Sequence, residues 1–308
     1  MKAKVLVTGG AGFIGSHVVD MLLEANYEVA VVDDLSTGSI RNIPSRVSFH
    51  KIDIRGDHLE EVFRGIHPDY VLHQAARADV RESIEKPVLY ADVNLVGSVN
   101  LLHCCCKYDV KKVVYASTGG TVYGEPEKLP VEESHPISPL DPYGASKYHV
   151  EHHLHICWQN HGLKFTTLRY PNVYGPRQDP HGEAGVVAIF SASMLAGGDI
   201  TVNGSGDQER DFVYVEDIAR ANLLALTTGE CREYNLGSGT ATSVNQIFQV
   251  LRELTGYEKT PLYGPAKQGE VFRTYLDSQA ALKDLGWIAE VRLKDGLART
   301  VESFGQIR

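Results

Sequence analysis

Two constellations in the sequence combine residue types and spacings that could do chemistry. The first is a glycine string, Gly9, Gly12 and Gly15, between the apolar run Val5, Leu6, Val7 and a helical pattern. Gly10, Gly12 and Gly15 also satisfy G-x-G-x-x-G. A turn without Cβ atoms lets a pyrophosphate approach the backbone, and the helix N-terminus beyond it offers free N–H groups and a partial positive charge. Roughly 20 residues on, the spacing such a motif requires, the second apolar run ends in Asp33 and Asp34. A carboxylate there accepts both hydroxyls of an adenosine ribose and repels a 2′-phosphate, so Asp33 favours NAD over NADP, and Asp34 has the same chemistry. Asp53 and Ile54 close the third apolar run and could border the adenine, although an Asp at a strand end is also a common turn residue.

The second constellation is Tyr143 and Lys147, at i and i+4 on one face of a helical pattern. A free tyrosine has a pKa of about 10, so a tyrosine base near neutrality needs a depression of roughly three units, worth about 4 kcal/mol. A lysine ammonium beside it supplies that sign of shift. Such pairs also occur on plain amphipathic helices. This one follows the fifth strand of a nucleotide-binding pattern, and that strand ends in the hydroxyls Ser117 and Thr118.

The elements that must position these residues are legible as alternation. Strand-length apolar runs at 5–7, 28–32, 47–52, 70–73, 112–116 and 164–168 alternate with helical patterns near 13–26, 59–65, 88–107 and 143–160. Alternation of this kind is the signature of βαβ units, hence an α/β chain with a doubly wound parallel sheet. After Tyr170 a Pro/Gly-punctuated stretch, 171–185, breaks the pattern, and helices follow at 186–196, 216–228, 244–255, 278–285 and 293–304, the fourth with Asp277 as expected N-cap. The run 233–236 reads as a late strand returning to the main sheet. The division implied is 1–171 plus about 206–241 for the dinucleotide-binding part, and about 172–205 plus 242–308 for a smaller C-terminal part.

Composition narrows the partners. With 30 Lys+Arg against 39 Asp+Glu the net charge is −9 over 308 residues, and no basic run breaks that balance, which argues against nucleic acid. The chain is 43% apolar and 22% charged, no apolar run approaches the ~20 residues of a bilayer span, and Met1 to Lys4 leads straight into the first strand. No membrane partner and a cytoplasmic setting are therefore expected. Five cysteines, three of them consecutive at 104–106 where helical side chains diverge, read as reduced thiols. His149, His152, His153 and His155 include i,i+3 and i,i+4 pairs, but no thiolate motif and no carboxylate beyond Glu151 accompanies them. A solvated or subunit-contact face is expected there, and no metal.

Taken together, segments 8–17, 32–35, 73–76, 121–125, 143–147, 168–177 and 210–217, with Asn94 and Gly286-Trp287, resemble the extended short-chain dehydrogenase/reductase superfamily from residue 5 to about residue 295. Within it they resemble the NAD-dependent epimerase/dehydratase family, and there the 4-epimerases of nucleotide-activated sugars. The resemblance implies a Rossmann sheet with a smaller C-terminal substrate-binding domain, NAD as cofactor, and 4-epimerisation of a UDP-hexose through a transient 4-keto sugar. UDP-glucose and UDP-galactose are the implied substrates, with N-acetylated forms within reach. Tyr143 as phenolate would take the proton of the sugar 4-hydroxyl, and Lys147 would hold the nicotinamide ribose and depress the tyrosine pKa. Phe13, Ile14, Gln74, Ala75, Ala76, Asn94, Ser117 and Tyr170 join the implied cofactor contacts.

For the substrate the resemblance implies Asn172 and Arg210 at the diphosphate, Lys267 at a phosphate, Glu270 at the uridine ribose, and main-chain contacts from Val187 and Val202. One position departs from the family. Its Ser or Thr four residues before the tyrosine matching Tyr123 is Gly119 here, so Thr118 first and Ser117 second are the hydroxyls expected at the sugar 4-oxygen. Gly119-Gly120 also replaces the Asp-Glu pair of the related 4,6-dehydratases. Ungapped counting from Gly269 brings Thr274, a small residue, to the wall around the sugar's C2 substituent, with Phe272 and Tyr275 as alternatives. A homodimer formed through helices is implied by the same analogy. Rival readings are an epimerase or keto-sugar reductase for another nucleotide sugar, and a silent NAD-binding regulator.

Overall fold

Aliphatic and β-branched runs form one parallel sheet of seven strands in the computed structural model, which describes residues 2–181, 185–266 and 271–306. The strands are β1 (Lys4–Thr8), β2 (Glu28–Asp33), β3 (Ser48–Lys51), β4 (Tyr70–His73), β5 (Lys112–Thr118), β6 (Lys164–Tyr170) and, much later in the chain, β11 (Arg232–Asn235). Their order is β11-β6-β5-β4-β1-β2-β3. The late run therefore returns to the sheet as its seventh strand, with Tyr234 opposite Leu168. The order reverses between β1 and β4, and at such a switch point a crevice opens beyond the carboxyl ends of the strands.

Both faces of the sheet are covered, which is why its strands read as unbroken apolar runs. Val5 and Val7 face α1 (Phe13–Glu24) and α8 (Val215–Ala225), in a core with Val18, Leu22, Ile218 and Ala221. Leu6, Val32 and Val113 face the other way, toward Leu59 and Phe63 of α2 (His58–Ile66), Leu101 of α5 (Gly97–Lys107) and Leu154 of α6 (Pro142–His161). The helix expected over 88–107 is interrupted. After α3 (Val80–Glu85) and α4 (Pro87–Tyr90) comes a π-helical turn, Ala91–Val96, before α5. By length and composition alone, at mean hydropathy 1.3 over its best window, Pro87–Lys107 could cross a membrane, a test that buried core helices also pass. Its Leu101, Leu102, Cys104 and Cys105 pack in the core of the second face.

A second core lies among α7 (Val186–Leu195), α9 (Val244–Thr255) and α11 (Leu293–Gly305), built on Phe190, Met194, Phe248, Leu251 and Leu297. Three short strand pairs edge it: β7 (Asn172–Tyr174) with β10 (Phe212–Tyr214), β8 (Thr201–Asn203) with β13 (Leu262–Gly264), and β9 (Glu209–Arg210) with β12 (Thr242–Ser243). The cores do not follow the chain division read from the sequence. Phe212 and Tyr214 join the second core, whereas Leu285 of α10 (Gln279–Leu285) and Trp287 join the first. Trp287 donates its indole N–H to the Asp217 carbonyl of α8 at 2.8 Å. The N-cap of α10 is Ser278 and not Asp277, whose carboxylate instead accepts from the Gln279 amide at 2.7 Å.

The glycine turn is tight for reasons specific to two positions. Gly9 has φ +69°, and a Cβ there would lie 2.6 Å from the Ala75 amide nitrogen. A Cβ on Gly15 would lie 2.1 Å from the Gly9 carbonyl oxygen. By contrast Gly65, in α2, has nothing within 4 Å of its Cβ position. Gly9→Ala is expected to destabilise the protein by about 1–3 kcal/mol, while Gly65→Ala stabilises it by up to about 1 kcal/mol. Urea midpoints of the two variants should move in opposite directions from wild type; a shared direction would contradict this account of the turn.

Candidate active site

The crevice at the switch point is a cavity of about 930 Å³. It gathers most of the candidate residues from separate elements. Gly9, Gly12, Phe13, Ile14 and Gly15 line it from the first turn, Asp33 and Asp34 from β2, and Asp53 and Ile54 from the loop after β3. Gln74, Ala75 and Ala76 follow β4, Ser117 and Thr118 close β5, Tyr143 and Lys147 open α6, and Tyr170, Asn172 and Val187 complete the wall.

Local chemistry fixes each of these groups. Asp33 is buried, one oxygen accepting from the Ala11 amide at 2.9 Å and the other from Leu35 at 2.8 Å. Burial raises its pKa, and these hydrogen bonds oppose that rise. The tip of β2 is thereby tied to the glycine turn. Asp34 is exposed and accepts from Ser36 at 2.8 Å. Asp53 is engaged with Arg55 at 2.5 Å, and that arginine's hydrogen bond holds its carboxyl below the ordinary range. Tyr170, Gln74 and Asn222 close a triangle: Asn222 donates to the Tyr170 hydroxyl at 2.7 Å, which donates to the Gln74 carbonyl at 3.2 Å, and the Gln74 amide donates back to Asn222 at 2.9 Å.

At the Tyr143–Lys147 pair, α6 starts from Pro142 with Asp141 as N-cap, its carboxylate accepting from the Gly144 amide at 2.7 Å. This fixes the first turn, so Tyr143 and Lys147 lie one above the other. Lys147 is only 3% exposed, with Nζ 4.5 Å from the centre of the Tyr115 ring. Burial pulls its pKa down to about 7, and the charge of Glu151 one turn further on opposes this. Close by, His73 lies between Thr8 Oγ1 and Ser98 Oγ, each at 2.7 Å. Burial and the Lys147 charge push His73 down to about 3, so it is neutral. Thr118 Oγ1 accepts from the Gly120 amide at 3.2 Å, whereas the Ser117 hydroxyl is turned to Glu151 at 2.5 Å. Gly119 has its own reason: a Cβ there would come 2.4 Å from Leu276 Cδ1.

Several expected contacts lie elsewhere. Asn94 is buried in the π turn and is not among the described residues that line the cavity; its amide bonds the main-chain N–H and C=O of Arg77, both at 2.8 Å, and Ser146 at 2.9 Å. Val202 is buried in the second core. Arg210 is likewise off the cavity wall, donating to the carbonyls of Glu209 at 2.9 Å and Phe272 at 3.2 Å. Thr274 is buried and does not line the cavity, while Lys267, Gly269 and Glu270 lie outside the described residues. Among the described residues no group of three or more His, Cys, Asp and Glu side chains could hold a metal ion. His155 pairs with Glu233 at 2.7 Å, and His149 and His152 are exposed. Sequence reasoning missed Arg55, Arg77 and Gln178 on the cavity wall, and Glu151 behind it.

A family model described as NAD dependent epimerase/dehydratase family matches residues 5–237. The chain belongs to that family. Among its relatives, the UDP-glucose 4-epimerase of Mycolicibacterium smegmatis is 39% identical over 307 residues, 98% of each chain. The solved UDP-glucose 4-epimerase of Thermotoga maritima, with UDP-glucose, superposes at TM-score 0.97 with 47% identity, covering 99% of each chain. That of Thermus thermophilus, in complex with NAD, gives 0.93 and 45%, covering 98% of this chain and 99% of the other. The epimerase/dehydratase family model ends at residue 237, just beyond β11, so the family match spans every strand of the main sheet.

The buried lysine makes stability depend on pH in a definite sense. Its folded-state pKa of about 7 lies below the ordinary 10.5, so the cost of burying it is complete below pH 7, where folded and unfolded chains both carry the proton. Between those two values the unfolded chain binds one proton more, and the cost falls by about 1.4 kcal/mol per pH unit. Lys147→Met should therefore be more stable than wild type, by a margin that is largest below pH 7 and shrinks as pH rises. Urea unfolding of both proteins across this range checks it; a margin that widened with pH would refute the assignment.

Proposed function

We propose that the protein is an NAD-dependent 4-epimerase of UDP-hexoses, interconverting UDP-glucose and UDP-galactose. The observation that carries this reading is that Tyr143 and Lys147 line the same cavity as the glycine turn and Asp33. The turn suits a dinucleotide because Gly9, Gly12 and Gly15 line the cavity, and a Cβ at Gly9 or Gly15 would collide with the neighbouring main chain. Asp33 would receive the adenosine ribose. NAD held there would supply a hydride acceptor and donor for the sugar's C4.

The chain's own residues would do the rest. Tyr143 takes the 4-hydroxyl proton as hydride leaves and gives it back on return, so a 4-keto sugar forms between the two steps. Lys147, buried beside the tyrosine's turn, favours the phenolate electrostatically and anchors the nicotinamide ribose. Thr118 is the hydroxyl left for the sugar oxygen, since Ser117 is committed to Glu151. Tyr170 and Gln74, locked by Asn222, would flank the nicotinamide, and Asn172 and Val187 would meet the sugar nucleotide. The similarity to epimerases solved with UDP-glucose and with NAD supports both ligands.

We also infer a homodimer, supported by a groove between α5 and α6 lined by Val99, Leu102, Cys106 and Cys157 together with His103, Lys107, His153 and His161. A cytoplasmic setting is supported by five free cysteines.

Incubation with a panel of nucleotide sugars and no added cofactor, followed by NMR for 4-epimers, tests the activity and its tolerance of an N-acetyl group. Tyr143→Phe should lower turnover at least about 100-fold while the purified protein still carries NAD; substantial residual turnover would remove the tyrosine from the mechanism. Asp33→Ala should weaken NAD and narrow its advantage over NADP, read by calorimetry on stripped protein, and an unchanged preference would rule out the ribose contact.

A further inference from the structure

The side chains behind Lys147 form a buried polar cluster that the reaction as described does not use. Glu151 lies one helical turn beyond Lys147 and is 2% exposed. Its carboxylate accepts from Arg169 Nε at 3.1 Å and Nη2 at 2.6 Å, and from the Ser117 hydroxyl at 2.5 Å. Arg169, on β6, is 4% exposed and also donates to the Tyr123 hydroxyl at 2.8 Å. That hydroxyl donates to Asn235 of β11 at 2.8 Å. The carboxylate is thus fixed from β5 and β6, and through Tyr123 from β11.

A bare buried ion pair is weak support for stability, because desolvation offsets most of the attraction. Here the acid also lies one helical turn from a second cation, Lys147, on the same helix. The titratable and charged groups around Lys147 are His73 from β4, Tyr115 from β5, Arg169 from β6, and Tyr143 and Glu151 from its own helix. His73 is neutral, and burial keeps Tyr115 protonated. Of these groups Glu151 is the one whose charge favours the ammonium form.

We propose that Glu151 is a positioning residue, whose carboxylate, clamped by Arg169 and Ser117, holds Lys147 in its ammonium form beneath Tyr143. The inference rests on the Tyr143–Lys147 reading and adds to it a charge relay across β5 and β6: Arg169 fixes Glu151, and Glu151 acts through space on the lysine. Loss of the acid would lower the fraction of Lys147 that carries a proton near neutral pH, and with it the charge favouring the tyrosine's phenolate.

The test is the titration of Lys147 itself in the full chain as purified, followed by NMR of 15N-labelled lysine side chains and assigned with Lys147→Met. In Glu151→Gln the Lys147 midpoint should fall by about one pH unit or more. The alkaline limb of the kcat profile should move down with it, and kcat should fall more than KM changes. Glu151→Asp, which keeps the charge, should restore the midpoint most of the way to wild type. If Glu151→Gln alone does not fold, Glu151→Gln/Arg169→Met is compared with Arg169→Met, so that the acid alone differs between the two proteins. A wild-type Lys147 midpoint in Glu151→Gln, or no difference between the double variant and Arg169→Met, overturns the proposal. An active Tyr143→Phe enzyme would instead refute the mechanism and leave the titration result standing, so the two failures are distinguishable.

Discussion

A lysine cation buried at the head of α6 is the constraint around which the site is arranged. Its ammonium faces an aromatic ring, Tyr115, and a neutral imidazole, His73, neither of which neutralises it. The compensating charge comes from Glu151, and Glu151 in turn needs Arg169 and Ser117 to satisfy its oxygens. An unpaired charge at this depth would be far costlier than the pair. One helix and the two strands it packs against are therefore coupled through a single carboxylate.

Topology supplies the second constraint. Because β1 and β4 are neighbours although α1, β2, β3 and α2 separate them in the chain, the glycine turn after β1 abuts the segment after β4. The two main chains meet so closely at Gly9 and Ala75 that a methyl group could not fit between them. Next door, the carboxylate of Asp33 takes the Ala11 amide, so the ends of β1, β2 and β4 behave as one rigid rim. A rim of this kind fixes where a dinucleotide's phosphates and ribose could sit before any ligand arrives.

The second core closes the other side of the cavity. Asp211, between β9 and β10, accepts from the Ser238 amide and hydroxyl at 2.9 and 2.6 Å and from the Leu276 amide at 3.1 Å, pinning segments that bridge the two cores. Leu276 in turn fills the space above Gly119. The C-terminal segment thus reaches back to the end of β5 and leaves no room for a side chain at residue 119.

By itself the sequence determined the features that live within one element or one turn: the glycine string, the acid at the end of β2, the i,i+4 Tyr143–Lys147 pair, and the alternating runs that make six strands. Each is set by local spacing and backbone geometry, which a linear reading preserves. Only the tertiary structure decided which way Asn94 turns, that Arg210 and Val202 stand off the cavity, that α10 and Trp287 join the first core, and that Glu151 lies behind Lys147. Those outcomes depend on partners distant in the chain, such as Arg77 for Asn94, Asp217 for Trp287 and Arg169 for Glu151. A buried polar group must find its hydrogen bonds wherever the fold brings a partner within reach, and sequence spacing carries no record of that distance.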